Sequence, residues 1–271
     1  MLSAGDKAFR GSLIILGGSY VLLVLALLVA DIAYCSAEHL KGLFFKREIQ
    51  FAAWLTLKTC TLAAILSILV GIPLGYILSR MRFPLRWLVD ALVDIPVVLP
   101  PLVVGLSLLI LFNQPIVGET RLEQWLQDNF HAKVTYGELG VILAQFSVAA
   151  AFAVRTMRVT FDQITPRAEQ VALTLGCSRL QAFYKVTLPE AWRGVVTAFT
   201  LAWARSLGEF GPIMVFAGAT RMKTEVLSTT VFLELSVGSL ESAVGVSLLM
   251  VAVAIIVLLI LRGIGMEGRA T

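Results

Sequence analysis

The chain has 271 residues, with 22 Lys and Arg against 18 Asp and Glu for a net charge of +4; 15% of residues are charged and 58% hydrophobic. Soluble domains hold about 25% charged and ~45–50% apolar residues. Here the apolar residues come in uninterrupted runs of bilayer-spanning length, which excludes a single water-soluble core. Cys35, Cys60 and Cys177 are odd in number and far apart, with only His39 and His131 to join them, which argues against a disulfide framework or a bound metal.

In chain order, the apolar stretches predict six membrane-spanning helices near residues 11–32, 52–79, 92–112, 138–157, 194–218 and 242–262, each close to the ~17–25 residues a span needs. With the amino terminus inside, the inside segments carry 13 Lys and Arg and the outside segments 7. The positive-inside rule therefore puts both termini and the long connection 159–192 in the cytoplasm. The first span follows a basic start, as a secretory signal does, with Ala33 to Ala37 as a cleavage region; its apolar run exceeds the ~7–15 residues of a signal core, and we read it as retained. Trp54, Trp87, Trp125, Trp192 and Trp203 fall mostly near span ends, where indole rings favour the interface.

Within the second span, Gly71, Pro73 and Gly75 predict a bend, because proline removes one helical hydrogen bond and crowds the turn before it. Lys58, about two turns in from the outer end of that span, either attracts anions or snorkels to the interface. The third span opens with Pro96, Pro100 and Pro101, three prolines in six residues, which no straight helix accommodates. Such backbone either lines a wet pathway or starts a helix at the interface. In the next outer loop, Gly118 to Phe130, Leu122, Trp125 and Leu126 fall at i, i+3 and i+4. They predict a short amphipathic helix that rests on the surface or docks an external partner.

The connection from Arg155 to Arg193 is too long for a plain linker. Thr165 and Pro166 start a helix with Ala168, Val171, Ala172 and Leu175 along one face, and Gly176 stops it. Ser178 with Gln181 forms a capping-box pattern for a second helix, whose face carries Leu180, Phe183 and Tyr184 and which Leu188 and Pro189 end. Two apolar faces outside the membrane need cover, either from a protein partner or from the chain's own helix ends. The fifth span is apolar except for Arg205 and Glu209, which share a helix face at i and i+4. Neither faces lipid, since a charge at mid-bilayer costs on the order of 2.5–3.5 kcal/mol on insertion scales. The pair is either structural, or it leaves Arg205, helped by Ser206, to offer its guanidinium fork to a passing oxyanion.

Glu169-Gln170-Val171-Ala172, Gly176, then nine residues to Val186-Thr187-Leu188-Pro189, resembles the EAA loop of permease subunits of ATP-binding-cassette importers. That pattern reads Glu-Ala-Ala, three residues, Gly, nine residues, Ile, any residue, Leu-Pro. Gln170 and Val171 stand for the two alanines, with Ala172 one place later, and Val186 stands for Ile. The segments Leu99 to Gly105 and Ala204 to Gly211 resemble the molybdate, tungstate and sulfate branch of these importers, and within it molybdate permeases more than sulfate ones.

The resemblance implies an all-α polytopic permease of the type I importer fold, MetI-like, working as a dimer, with an identical copy or a sister permease, in a prokaryotic cell membrane. Its implied partners are two copies of an ATPase subunit, which carry ATP and Mg, and an external substrate-binding protein, with no nucleic acid. The chain itself has no Gly-x-x-x-x-Gly-Lys phosphate cradle, so it is not the ATPase; the resemblance implies a transport subunit that is not an enzyme and binds no cofactor itself. Glu169, Ala172, Gly176, Leu188 and Pro189 would form the ATPase-coupling loop, with Glu169 meeting the partner surface; Arg205, Ser206, Glu209, Pro100, Pro101 and Lys58 would line the path. The cargo implied is a tetrahedral oxyanion, molybdate or tungstate ahead of sulfate or thiosulfate. With only about ten residues after the last span, no regulatory domain is expected there. A secondary anion transporter or channel is the rival class, for which internal repeats would be expected and none is evident.

Overall fold

The structure is a computed structural model describing residues 4–117 and 120–267. Gly118 of the expected surface helix and Arg269 of the charge count lie outside the described residues. In chain order, α1 (Ala4–Tyr34), a short α2 (Ala37–Phe44) and the long α3 (Arg47–Arg80) come first. Then follow α4 (Arg86–Val98), α5 (Pro101–Asn113), a two-stranded ribbon of β1 (Pro115–Val117) and β2 (Thr120–Arg121), α6 (Leu122–Phe130) and α7 (Glu138–Gln163). The loop holds α8 (Arg167–Thr174), α9 (Arg179–Ala182), a π-helical turn over Phe183–Thr187 and α10 (Leu188–Glu190). The chain closes with α11 (Trp192–Leu207), a second π-helical turn over Ile213–Ala217, α12 (Leu227–Ser236) and α13 (Leu240–Glu267).

The centre of the molecule is the packing of α3 on α7, with α11 against both. On α3, Ala63, Ser67, Gly71 and Gly75 recur every fourth residue and are all buried, the small-residue spacing that lets membrane helices approach closely. A Cβ added at Gly75 would stand 2.8 Å from the Met157 Cβ and 2.9 Å from the Arg158 backbone nitrogen of α7. The helix runs unbroken through Pro73, and the glycines flanking it let α7 approach closely.

Among the described residues, four helices are long and apolar enough to cross a membrane: Phe9–Tyr34, Arg47–Arg80, Glu138–Gln163 and Leu240–Gly263. The pair α4 and α5, bent by 111°, supplies a fifth if counted as one span. The expected third span, 92–112, therefore divides. Leu99 and Pro100 are extended (ψ 140° and 132°), because a residue before proline avoids the helical region. Before that corner, α4 exposes Trp87, Leu88, Leu92, Ile95 and Val98, while Asp90 and Asp94 pair with Arg158 (2.6 Å) and Arg155 (2.9 Å) of α7. That is the build of a helix lying in the interface.

The expected fifth span, 194–218, is also interrupted: α11 ends at Leu207, and helix resumes at Gly211 and runs through Pro212 into the π-helical turn. The expected surface helix forms as α6. Its Leu122 and Leu126 pack on a buried cluster that includes Leu55, Phe112, Ile213 and Phe216, so part of its apolar stripe is covered by the bundle itself.

Candidate functional site

The two broken segments meet. A Cβ on Gly105 of α5 would stand 2.8 Å from the Pro212 Cα, and one on Gly211 would stand 3.1 Å from the Pro101 Cβ. Only residues without a side chain allow the start of α5 and the interruption after α11 to touch backbone to backbone. Beyond this contact α5 leaves Leu102, Val103, Leu106 and Ile110 exposed; Pro100 and Pro101 are exposed with them.

Arg205 lies on the last turn of α11, next to the interruption. Its Nη1 is 2.5 Å from Glu209 Oε1, and the two side chains are 30% and 1% exposed. The Arg205 guanidinium carbon is 5.7 Å from the centre of the Phe152 ring, within cation–π range. Glu209 is thus a buried carboxylate whose countercharge reaches the surface of the subunit. Ser228 Oγ donates to the Glu209 carbonyl (2.7 Å) and ties this segment to α12.

Two expected path residues are placed differently. Ser206 is fully buried and donates to the Ala202 carbonyl (2.9 Å), so it does not help Arg205. At i+4 its hydroxyl finds a carbonyl of its own helix, the usual recourse of serine in a dry environment. Lys58 is paired with Glu138 at the start of α7 (2.5 Å) and is no isolated cation. One buried group was missed from sequence: Gln145 of α7 donates to the Ser206 carbonyl (3.3 Å), linking α7 to α11.

At the other functional region, Gly176 has φ +89° and no atom within 4 Å of an added Cβ, so its requirement is conformational, not spatial. Ser178 Oγ accepts from the Gln181 backbone N–H (3.2 Å) while Gln181 Oε1 accepts from the Ser178 N–H (2.9 Å), closing the capping box. Leu188 and Pro189 do not end the second helix. They continue it after the π-helical turn, in which the Leu188 N–H reaches the Phe183 carbonyl. A widened turn relieves the clash a proline ring makes with the carbonyl four residues back. Val171, Leu175, Leu180 and Tyr184 are exposed, whereas Ala172 is buried.

Glu169 turns inward. Its Oε1 accepts from Tyr76 Oη (2.5 Å) and its Oε2 from Thr187 Oγ1 (3.2 Å), so its carboxylate is engaged within the chain and not held out to a partner. The reason is register. Counted back from Gly176 through the three-residue spacer, the glutamate of the EAA pattern falls on Gln170, which is exposed. Glu169 lies about 100° further round the helix. Tyr76 is the residue that sequence reading overlooked, since nothing local in α3 marks it.

Outside the expected spans, Arg221 bridges Glu48 (2.9 Å) and Glu234 (3.0 Å). Glu225 beside them is buried, and burial pushes its carboxyl above the usual range against a hydrogen bond from Thr230 and the Arg221 charge.

Residues 71–266 match the model of the binding-protein-dependent transport system inner membrane component family. The chain belongs to this family. Among its relatives, the sulfate transport system permease protein CysT of Escherichia coli K12 is 36% identical over 88% of this chain and 84% of its own length. The molybdenum transport system permease protein ModB of Escherichia coli K12 is 33% identical over 77% of this chain and 90% of its own. A crystal structure of a bacterial alginate ABC transporter, in complex with a pentasaccharide-bound periplasmic protein, contains a chain that superposes with a TM-score of 0.75 at 18% identity, covering 98% of this chain and 96% of that one. The all-α, MetI-like permease fold is thereby shown. The protein is a multi-pass membrane transport subunit of an importer, and the secondary transporter or channel is set aside.

Proposed function

We propose that two copies of this permease form the path by which a tetrahedral oxyanion enters the cell, driven by a separate pair of ATPase subunits. The observation that carries this reading is the contact of Pro101 and Gly105, just after the break at Leu99 and Pro100, with Gly211 and Pro212, just after the break that follows Leu207. Both lie beside Arg205, a guanidinium that is 30% exposed. Interrupted helices at membrane depth are tolerated where they line a cavity. A guanidinium fork fits the paired oxygens of an oxyanion, and the Glu209 carboxylate on the same cation keeps such binding weak enough for release.

The loop end is read as cytoplasmic from the 13-to-7 bias of basic residues. There the exposed Val171, Leu175, Leu180 and Tyr184 form the face that meets the ATPase, and Gly176 holds the two helices at their angle. ATP and magnesium belong to that partner. An external binding protein delivers the anion on the opposite side. The segments Leu99 to Gly105 and Ala204 to Gly211 support molybdate or tungstate as cargo, whereas the identity to CysT supports sulfate.

The test is ATP hydrolysis by the permease with its copurifying ATPase, reconstituted in liposomes with the cognate binding protein and given molybdate, tungstate, sulfate or phosphate in turn. Stimulation by molybdate or tungstate is expected, and stimulation by sulfate alone corrects the cargo. Absence of a copurifying ATPase, with anion flux following an ion gradient, overturns the reading.

A further inference from the structure

Three contacts join the last turns of α3 to the connection that follows α7. Tyr76 donates to Glu169 (2.5 Å), Ser79 donates to Asp162 (2.6 Å), and Arg80 Nη2 donates to the Ile164 carbonyl (2.7 Å). Tyr76, Ser79 and Arg80 stand at i, i+3 and i+4, one face of one helix. Ser79 and Arg80 reach the end of α7 and the residue after it. Tyr76 reaches further, into the first helix of the loop. Its ring sits edge-on to Phe161 of α7 (5.5 Å between centres) and Phe183 of the loop's second helix (4.8 Å).

Glu169 therefore has two tasks. One oxygen holds Tyr76 of α3; the other holds Thr187, buried in the π-helical turn of the second loop helix. The carboxylate joins three elements: the two loop helices and the membrane helix that carries the Ala63–Gly75 packing ridge. Hydrogen bonds to a charged acceptor are about twice as strong as neutral ones, and a partly buried one is screened less than a surface pair.

We propose that Tyr76 is the positioning residue that transmits movement of the coupling loop to α3, through the Tyr76–Glu169–Thr187 latch. This rests on the importer reading, in which an ATPase moves the loop. When the partner displaces α8, the latch carries α3 with it, and through α3 the closely packed α7. Without the latch, the loop follows the ATPase while α3 lags behind.

The test compares wild type with Tyr76→Phe, which keeps the ring packed on Phe161 and Phe183 and removes only the hydroxyl. In liposomes with binding protein, substrate and ATP, the variant is expected to retain the copurifying ATPase and its basal hydrolysis. Anion transported per ATP hydrolysed should fall by about tenfold, equivalent to ~1.4 kcal/mol. Thr187→Val should lower the same ratio, and adding Glu169→Gln to Tyr76→Phe should lower it little further, since the amide oxygen can still accept from Thr187 and the Tyr76 bond is already gone. Wild-type coupling in Tyr76→Phe, with ATPase retained, overturns the latch and leaves the importer reading intact. Failure of the wild-type permease to retain any ATPase overturns both.

Discussion

Removing the Arg205 side chain as Arg205→Met would leave Glu209, 1% exposed, as a buried carboxylate with no cation beside it. Breaking a buried ion pair from one side costs about 3–5 kcal/mol. Because Arg205 is 30% exposed and solvent already screens the pair, the lower end, ~3 kcal/mol, is expected. Glu209→Gln removes the buried charge and leaves Arg205 its solvent and the Phe152 ring, for a smaller loss of ~1–2 kcal/mol. Replacing both, as Arg205→Met with Glu209→Met, substitutes apolar groups of similar length, a change that is often neutral or stabilising.

The expected stability order is therefore the double variant near wild type, Glu209→Gln below it and Arg205→Met lowest, read by thermal unfolding of the purified permease in detergent. Transport in liposomes separates the roles. A double variant that is stable and inserted yet moves no oxyanion assigns Arg205 to the path. Full transport by the double variant would make the pair purely structural, and an Arg205→Met protein as stable as wild type would refute the reasoning about Glu209.

Gly176→Val should reduce ATPase retention during purification with membrane insertion unchanged, because a β-branched residue at φ +89° is strained even with open space around it; Gly176→Asn, which tolerates that region, should retain most of it. Glu225 has a raised carboxyl pKa when folded, so its contribution is fully present below the ordinary carboxylate value and is lost as pH rises through the raised one. Thermal unfolding from about pH 4.5 upward should show Glu225→Gln less sensitive than wild type to rising pH; identical pH profiles would refute the assignment.

Composition and local pattern carried a large part of this protein. Hydropathy marks apolar segments because each span must satisfy its own backbone hydrogen bonds, a requirement local to the segment. The Gly176 turn and the Ser178–Gln181 capping box were legible for the same reason, since each partner lies within a few residues of the other. Arg205 and Glu209 were legible as a pair because they stand four residues apart, and they meet even though α11 ends at Leu207 and Glu209 lies past it.

Side-chain destinations across the bundle were not legible. Nothing local to Gly71 and Gly75 showed that α7 lies against them, and Ser206 read as a path donor until its hydroxyl was found on the Ala202 carbonyl. The inward turn of Glu169 depends on Tyr76, 93 residues earlier. Local sequence determines which segments are apolar and helical and where a turn such as Gly176 falls; the tertiary structure decides where the fifth span is interrupted, which face each helix buries and which distant groups meet. Those choices arise from close packing between segments, and no periodicity within one segment encodes its neighbour.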